Sequence, residues 1–170
     1  MVIRSYPDVK KFYMRSTDDG FKTGKTGPLK CRKGFTARAR LKTPVKDKST
    51  WRYEYVYLID AKVPVGECRG KIESVYNKED PDTWAYGVWP GTYQNSYSFN
   101  LKTTSIEKYA SLPQSEPVII KYDKEKREVR FTSAHFNLFQ TDLPEEVDFC
   151  LAVTIGGYGF EIEIELLSLE

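Results

Sequence analysis

The single histidine limits the side-chain chemistry that this sequence can support. His135 stands alone among the 170 residues, so any Ser-His or Cys-His nucleophilic pair, and any histidine-rich metal site, would have to include it. Its setting, Thr132-Ser133-Ala134-His135-Phe136, follows a predicted strand and is typical of a turn or surface position. We therefore predict that the chain has no catalytic residues.

A glycine- and lysine-rich stretch, residues 20–26, resembles a phosphate-binding loop only in composition. Such a loop needs four residues between its glycines and a helix after its threonine. Here three residues separate Gly20 from Gly24, and Gly27-Pro28 follow in place of a helix. The backbone amides therefore could not line a helix N-terminus, and the pattern predicts a mobile basic loop.

Two carboxylate clusters, residues 79–82 and 144–148, could in principle hold calcium or perform acid/base chemistry. Neither has the alternating acids closed by a glutamate that a calcium loop requires. Acidic turns between strands are usually solvated, so we expect no metal site and no cofactor.

The best candidate for a recognition surface is the aromatic-rich segment 83–93. Aromatic side chains give a large contact area and lose little entropy on ordering. Three of its residues alternate as a strand does and are predicted to face the core: Trp84, Tyr86 and Val88. Trp89 and Tyr93 flank the Pro90-Gly91 turn and are predicted binding residues, together with Tyr76 and Asn77.

Charge is distributed unevenly along the chain. Residues 1–50 carry fourteen Lys or Arg and four Asp or Glu, a net charge of +10, whereas the remainder has a net charge of −8. The basic segment could attract an anionic partner, or the two signs could face each other within one domain. We hypothesise that a strand bearing Arg38 and Arg40 pairs with the last strand, where Glu161, Glu163 and Glu165 share a face.

Alternation of apolar and polar residues with a period of two recurs along the chain and predicts many short strands. Residues 84–88 and 97–101 are predicted to be neighbouring strands, and residues 117–122 and 128–131 form a predicted hairpin. A second hairpin is predicted from residues 148–155 and 160–166, since Gly156-Gly157 between them is a strong turn signal.

Evidence for helix is thin. The one candidate, residues 105–112, is stopped by Pro113 and is predicted to form one or two turns. Many short strands with little helix predict an all-β fold, an antiparallel two-sheet β-sandwich or jelly roll. We expect one domain spanning residues 1–170, with the basic region 1–50 integrated into it.

The second half of the chain resembles the closing strands of SPRY domains in order and spacing. The segments that carry this resemblance are residues 118–123, 129–131, 141–144, 149–155 and 160–162. In addition, Asp82-Thr83-Trp84-Ala85-Tyr86-Gly87 is similar to that family's tryptophan-glycine strand. The resemblance implies a bent two-sheet sandwich that binds a peptide or protein through loops at one end, without catalysis.

These observations favour a non-catalytic module that recognises a protein or peptide through its inter-strand loops. Two alternatives stay open: a lectin-like carbohydrate binder using the same aromatic residues, and a binder of nucleic acid or another anionic surface through residues 1–50. A structural or viral-shell role also stays open. Nucleic acid is the less favoured partner, because the basic segment could be neutralised within the domain.

Location is inferred from what the N-terminus and the cysteines resemble. Residues 1–7 have no apolar region of the kind that a secretory signal needs, and no apolar run approaches the roughly 20 residues that span a bilayer. The three widely spaced cysteines, Cys31, Cys68 and Cys150, suit free thiols in a reducing compartment. We expect a cytoplasmic protein.

Overall fold

The computed structural model describes residues 2–3, 11–15, 21–41, 53–77, 85–89, 95–100, 105–110, 117–133, 137–156 and 161–170. The strands in these ranges are β1 (Val2–Ile3), β2 (Lys11–Arg15), β3 (Lys22–Thr26), β4 (Gly34–Leu41), β5 (Tyr53–Asp60), β6 (Ala85–Trp89), β7 (Asn95–Asn100), β8 (Ser105–Ala110), β9 (Val118–Asp123), β10 (Glu128–Thr132), β11 (Asn137–Gln140), β12 (Phe149–Gly156) and β13 (Glu161–Leu169). A helix, α1 (Val65–Asn77), lies between β5 and β6.

The strands form two sheets. One has seven strands in the order β1-β3-β12-β5-β6-β7-β8, and the other has six in the order β11-β10-β9-β4-β13-β2. Neighbouring strands are antiparallel except for β1 and β3, which are parallel. The predicted antiparallel β-sandwich is confirmed.

The main core lies between the two sheets and is filled by the apolar residues of the alternating strands. Strand β4 contributes Phe35, Ala37 and Ala39, while its alternate residues Arg38 and Arg40 are only partly buried. The fully buried side chains include Phe131 and Leu151. Burying a side chain of this size stabilises the fold by roughly 1.5–3 kcal/mol. Tyr86 and Val88 also face this core, as predicted.

A second, smaller cluster lies on the outer face of the seven-stranded sheet, beneath α1. There Cys68 and Ile72 of the helix pack with Tyr57, Ile59 and Cys150 of the sheet. Both faces of the central strands are therefore covered. Within the described residues, no helix is long and apolar enough to cross a bilayer.

The predicted pairing of oppositely charged strands is confirmed. Strands β4 and β13 are antiparallel neighbours, with Arg40 opposite Glu163 and Arg38 opposite Glu165. Arg38 forms an ion pair with Glu165, and Lys11 of β2 lies 3.4 Å from Glu163 across the other edge of β13. Part of the basic N-terminal charge is thus neutralised within the sheet, rather than presented to a partner.

Of the two predicted hairpins, one is confirmed and the other is wrong. Strands β9 and β10 form a hairpin as expected. The predicted hairpin of β12 and β13 is wrong, because β12 pairs with β3 and β5 while β13 pairs with β2 and β4 in the other sheet. Every residue of β12 is buried, so it suits a sheet covered on both faces. Strand β13 alternates apolar and acidic residues in sequence and keeps partly exposed positions such as Glu161 and Glu165, which suits a sheet with one solvent face.

The helix prediction was also wrong in position. Residues 105–110 form strand β8, which pairs with β7 and completes the seven-stranded sheet. Helix α1 occupies residues 65–77, where Gly66 and Gly70 lower the intrinsic helix propensity. Its stability comes from packing on the sheet, a tertiary effect that local patterns do not report. The predicted loop at residues 20–26 is wrong as well, because Lys22–Thr26 forms β3.

Glycine 87 marks a close approach between β5 and β6. A Cβ atom at Gly87 would overlap the Cβ of Tyr57 and the carbonyl oxygen of Val56 and would lie 2.6 Å from the Tyr57 Cα. Two of these atoms belong to the backbone, so relief would require the strands to move apart. Only glycine fits this position without such a shift.

We predict that Gly87→Ala lowers the free energy of unfolding by about 1–3 kcal/mol, because the added methyl group overpacks the sheet. Gly70→Ala is the control: nothing lies within 4 Å of a Cβ at this exposed helical position. That variant should raise the free energy of unfolding by about 0.5–1 kcal/mol. Urea unfolding followed by circular dichroism measures both, and equal effects of the two variants would contradict the close approach.

Candidate functional site

The structure describes the predicted binding residues only in part. Trp89 is the last residue of β6, and its Cα partner in β7 is Tyr97, which in turn lies opposite Lys108 in β8. Tyr76 and Asn77 end helix α1 instead of lying in a loop between strands. The side chains of these three predicted residues, and the whole of Tyr93, lie outside the described residues.

The structure describes only some of the other residues that the sequence offered for chemistry. His135 and the carboxylates of residues 79–82 lie outside the described residues. In the second acidic cluster, Glu145 and Glu146 are exposed, and Glu145 lies 3.9 Å from the Nε atom of Arg127. No group of three or more His, Cys, Asp or Glu in the described ranges could hold a metal ion.

Polar groups buried under α1 are held by one another. The hydroxyls of Tyr57 and Thr154 lie 2.9 Å apart, and that of Thr154 is also 2.9 Å from the Thr23 hydroxyl. Nearby, the Lys25 ammonium donates to the carbonyl oxygens of Ala61 at 2.9 Å and Val63 at 2.7 Å. Burial raises the pKa of the Tyr57 phenol above its usual value, so this hydroxyl stays protonated. The network fixes the sheet and the turn that leads into α1.

None of the three thiols is activated as a nucleophile. Burial raises the pKa of Cys150 to about 12, and it also raises the pKa of Cys68 and of Cys31 above the usual thiol value. A nucleophilic cysteine needs the opposite shift, since the thiolate is the reactive form.

We predict that Cys31 is the thiol that reacts in the folded protein at neutral pH, because Cys68 and Cys150 are fully buried. Labelling with a chromogenic disulfide reagent, read out by peptide mass spectrometry, should modify Cys31 first and the other two only with unfolding. Cys31→Ser is the control and should remove the early phase. Labelling of Cys68 or Cys150 in the folded state would contradict the covering of this sheet by α1.

A large cavity with a partly apolar lining is a groove between β2, the last described strand of one sheet, and the start of β3 in the other sheet. Its volume is about 500 Å³, and it is lined by residues of β2 and by residues in or next to β3: Tyr13, Met14, Arg15, Phe21, Lys22 and Thr23. We call this the edge groove. The sequence does not reveal it, because its two sides come from different sheets and meet only in the folded chain.

One wall of the edge groove is the Phe21 ring, which is fixed from two directions. The guanidinium of Arg69 in α1 stacks 3.3 Å from the ring centroid. On the β12 side, Gly156 lets the ring approach so closely that an added Cβ would lie 2.8 Å from the Phe21 Cδ1 atom. Because both contacts come from well-packed elements, the wall is formed before any ligand binds.

The rim of the edge groove is basic and aromatic. Lys22 reaches across it, and its Nζ atom donates to the carbonyl oxygen of Arg15 at 3.0 Å. Tyr13 is 51% exposed, and the Lys11 ammonium lies 5.9 Å from its ring centroid. The described lining thus contains two cations and no carboxylate.

Two smaller cavities, of about 280 and 260 Å³, share Tyr122 as a lining residue at one end of the sandwich. Both are lined by charges of either sign, Lys33 and Glu170 in one and Lys124 and Asp148 in the other. Their mixed polar lining gives no preference for a ligand charge. The edge groove is therefore the best candidate site that the described residues form.

Comparison with known proteins finds similarity in structure alone. No protein-family model matches the chain, and no curated protein sequence is significantly similar to it. A lectin from Bauhinia forficata, solved in complex with GalNAc, has a TM-score of 0.59 at 11% identity and covers 98% of this chain and 95% of its own. The SPRY domain of human HERC1 also has a TM-score of 0.59 at 11% identity, over 95% of this chain and 97% of that domain.

These likenesses extend over nearly the whole chain, whereas the resemblance in the sequence was confined mainly to its second half. At 11% identity they bear on architecture. The chain thus has the two-sheet β-sandwich fold that lectins and SPRY domains share.

Proposed function

We propose that this chain is a non-catalytic binding module of one domain, which recognises a protein or peptide partner by taking a segment of it into the edge groove. The observation that carries the proposal is the groove itself. Its volume of about 500 Å³ lies within the usual range of ligand sites, roughly 300–1,000 Å³. Its wall is already fixed by Arg69 and Gly156, so little ordering is needed when a partner binds.

The composition of the edge groove supports a protein partner. Tyr, Phe, Met and Arg are the residue types enriched in protein interfaces, and all four line it. One side of the groove is β2, the last strand of the six-stranded sheet in the described part of the chain. Sheet edges are the places where extended peptides bind by adding a strand. The SPRY-like fold is a further, weaker argument for a protein partner.

The inter-strand loops remain part of the proposal as a second contact surface. Trp89 and Tyr93 flank Pro90-Gly91 in the sequence, and Tyr76 and Asn77 end the helix that covers the same sheet. A partner that is anchored in the edge groove could extend to these residues. The free thiols support a reducing compartment for this binding, and we propose the cytoplasm.

A carbohydrate ligand is the alternative supported by the likeness in fold to the Bauhinia forficata lectin. A glycan array and a random peptide library, both probed with the whole chain, distinguish the two. Selection of peptides supports the proposal, and selection of glycans alone would refute it. A nucleic acid is less well supported, because Lys11 and Arg38 are already paired with glutamates of β13.

We predict that Tyr13→Ala weakens binding of a selected peptide about thirtyfold, which corresponds to roughly 2 kcal/mol for a buried aromatic anchor. Phe139→Ala is the matched control, because Phe139 is 53% exposed against 51% for Tyr13 and lies on β11, at the opposite edge of the same sheet. Fluorescence anisotropy measures both affinities. Equal losses for the two variants, or no loss for Tyr13→Ala, would contradict the edge groove as the site.

Trp89→Ala tests the loop surface separately. We predict that this variant keeps the fold, seen as an unchanged far-ultraviolet spectrum, and weakens capture of a full-length partner identified from the selected peptides. Binding of the short peptide, which reaches only the edge groove, should be unchanged. If capture of the full-length partner is also unaffected, the loop surface has no part in recognition.

A further inference from the structure

We infer that the occupant of the edge groove is an extended peptide segment in which acidic and apolar residues alternate, and that it adds a strand to the outer edge of β2. The Lys22 ammonium blocks that edge by its hydrogen bond to Arg15, and it leaves when a carboxylate of the partner binds it. The inference rests on the proposed function and specifies the partner's chemistry at the same site.

The contact between Lys22 and Arg15 shows which backbone groups of β2 face the edge. The N–H and C=O groups of one residue in a strand point to the same side, and successive residues point to opposite sides. The Arg15 carbonyl is bonded to Lys22 of the other sheet and therefore points away from β13. By alternation Lys11, Tyr13 and Arg15 face the edge, while the residues opposite Ile162 and Ile164 bond to β13.

Lys22 occupies the place that a partner's N–H would need. Its ammonium donates to the Arg15 carbonyl at 3.0 Å, so an added strand must first displace it. Lysine on sheet edges is a common means of preventing unwanted pairing. Because the Lys22 side chain is exposed, it can leave this carbonyl at small cost when a carboxylate offers a stronger, charge-assisted hydrogen bond.

The charges around β2 favour an acidic partner. Three glutamates of β13, Glu161, Glu163 and Glu165, lie opposite β2. A hydrogen bond with the Glu163 carboxylate raises the pKa of Lys11 and keeps that exposed cation beside β13. Arg15 and Lys22 are the two cations that line the edge groove. Glu161 of β13 lies opposite Arg15, whereas Lys22, on the other sheet, has no carboxylate among the described lining residues beside it. Complementary charge at such a site selects the partner and steers its approach.

The apolar lining sets the second half of the pattern. Side chains of an added strand alternate between its two faces. Residues on one face would contact the partly exposed Phe21 ring, which stands beside the buried Met14, and those on the other would lie beside Arg15 and the released Lys22. Alternating apolar and acidic residues suit both faces, whereas a uniformly acidic segment would place carboxylates against the Phe21 ring.

Three short fluorescent peptides test this inference with the full chain: alternating Val-Glu, Val-Gln and Val-Lys of equal length. We expect the Val-Glu peptide to bind about tenfold more tightly than the Val-Gln peptide and the Val-Lys peptide to bind weakest. This preference should shrink at high salt, because the pairs lie near solvent.

Lys22→Met distinguishes a lysine that blocks the edge from one that only attracts a carboxylate. Losing the ammonium should weaken binding of the Val-Glu peptide but strengthen binding of the Val-Gln peptide, because the Arg15 carbonyl is then free. Lys126→Met, in the remote turn between β9 and β10, is the control and should change neither. If Lys22→Met weakens the binding of both peptides equally, or changes neither, Lys22 does not block the edge.

Backbone N-methylation tests strand addition directly. Methylating alternate amides of the Val-Glu peptide in the two complementary patterns should abolish binding in one pattern and preserve it in the other. Equal effects would overturn strand addition. If Val-Gln and Val-Lys bind as tightly as Val-Glu, and Tyr13→Ala weakens all three, the acidic preference fails while the proposed function stands. If Tyr13→Ala affects no peptide, both fail.

Discussion

Strand β12 is buried on both of its faces, and this burial determines how the elements around it are arranged. One face of this strand closes the core between the sheets, and the other, with Cys150, must be covered by α1. The helix that meets this need also brings Arg69 onto the Phe21 ring, and Gly156 of β12 leaves room for that ring. The wall of the edge groove is therefore a consequence of covering the outer face of the sheet with α1. A rigid wall favours a preformed binding site.

The cations of the basic N-terminal region fall into two groups according to what lies beside them. The cations that face the acidic strand β13, such as Arg38 and Lys11, serve the sheet, because three like charges on one strand need opposite charges beside them. Two other cations, Arg15 and Lys22, line the edge groove, and of these Arg15 also lies opposite Glu161 of β13. A net charge summed over a segment hides this division, which depends on the sheet and face that each residue occupies.

The sequence predicted what depends on local period and charge, and failed where tertiary contacts decide. The alternation in β4 and β13 predicted both strands, and their opposite charges predicted their pairing. Helix α1 was not predicted because its two glycines lower its helix propensity and it is stabilised by packing on the sheet. Residues 105–110 form a strand because they pair with β7. The edge groove was beyond prediction because Phe21 and Tyr13 come from separate sheets. An isolated Phe within a basic stretch was its only local sign.

Hydrogen exchange of the whole chain, with and without a saturating acidic-apolar peptide, tests whether a peptide adds a strand to β2. Mass spectrometry reads the protection of each segment. Strand addition at the edge groove predicts that exchange slows in residues 11–15 and around Lys22, with β11 at the opposite edge unchanged. Protection confined to residues 90–94, or no protection in β2, would contradict strand addition.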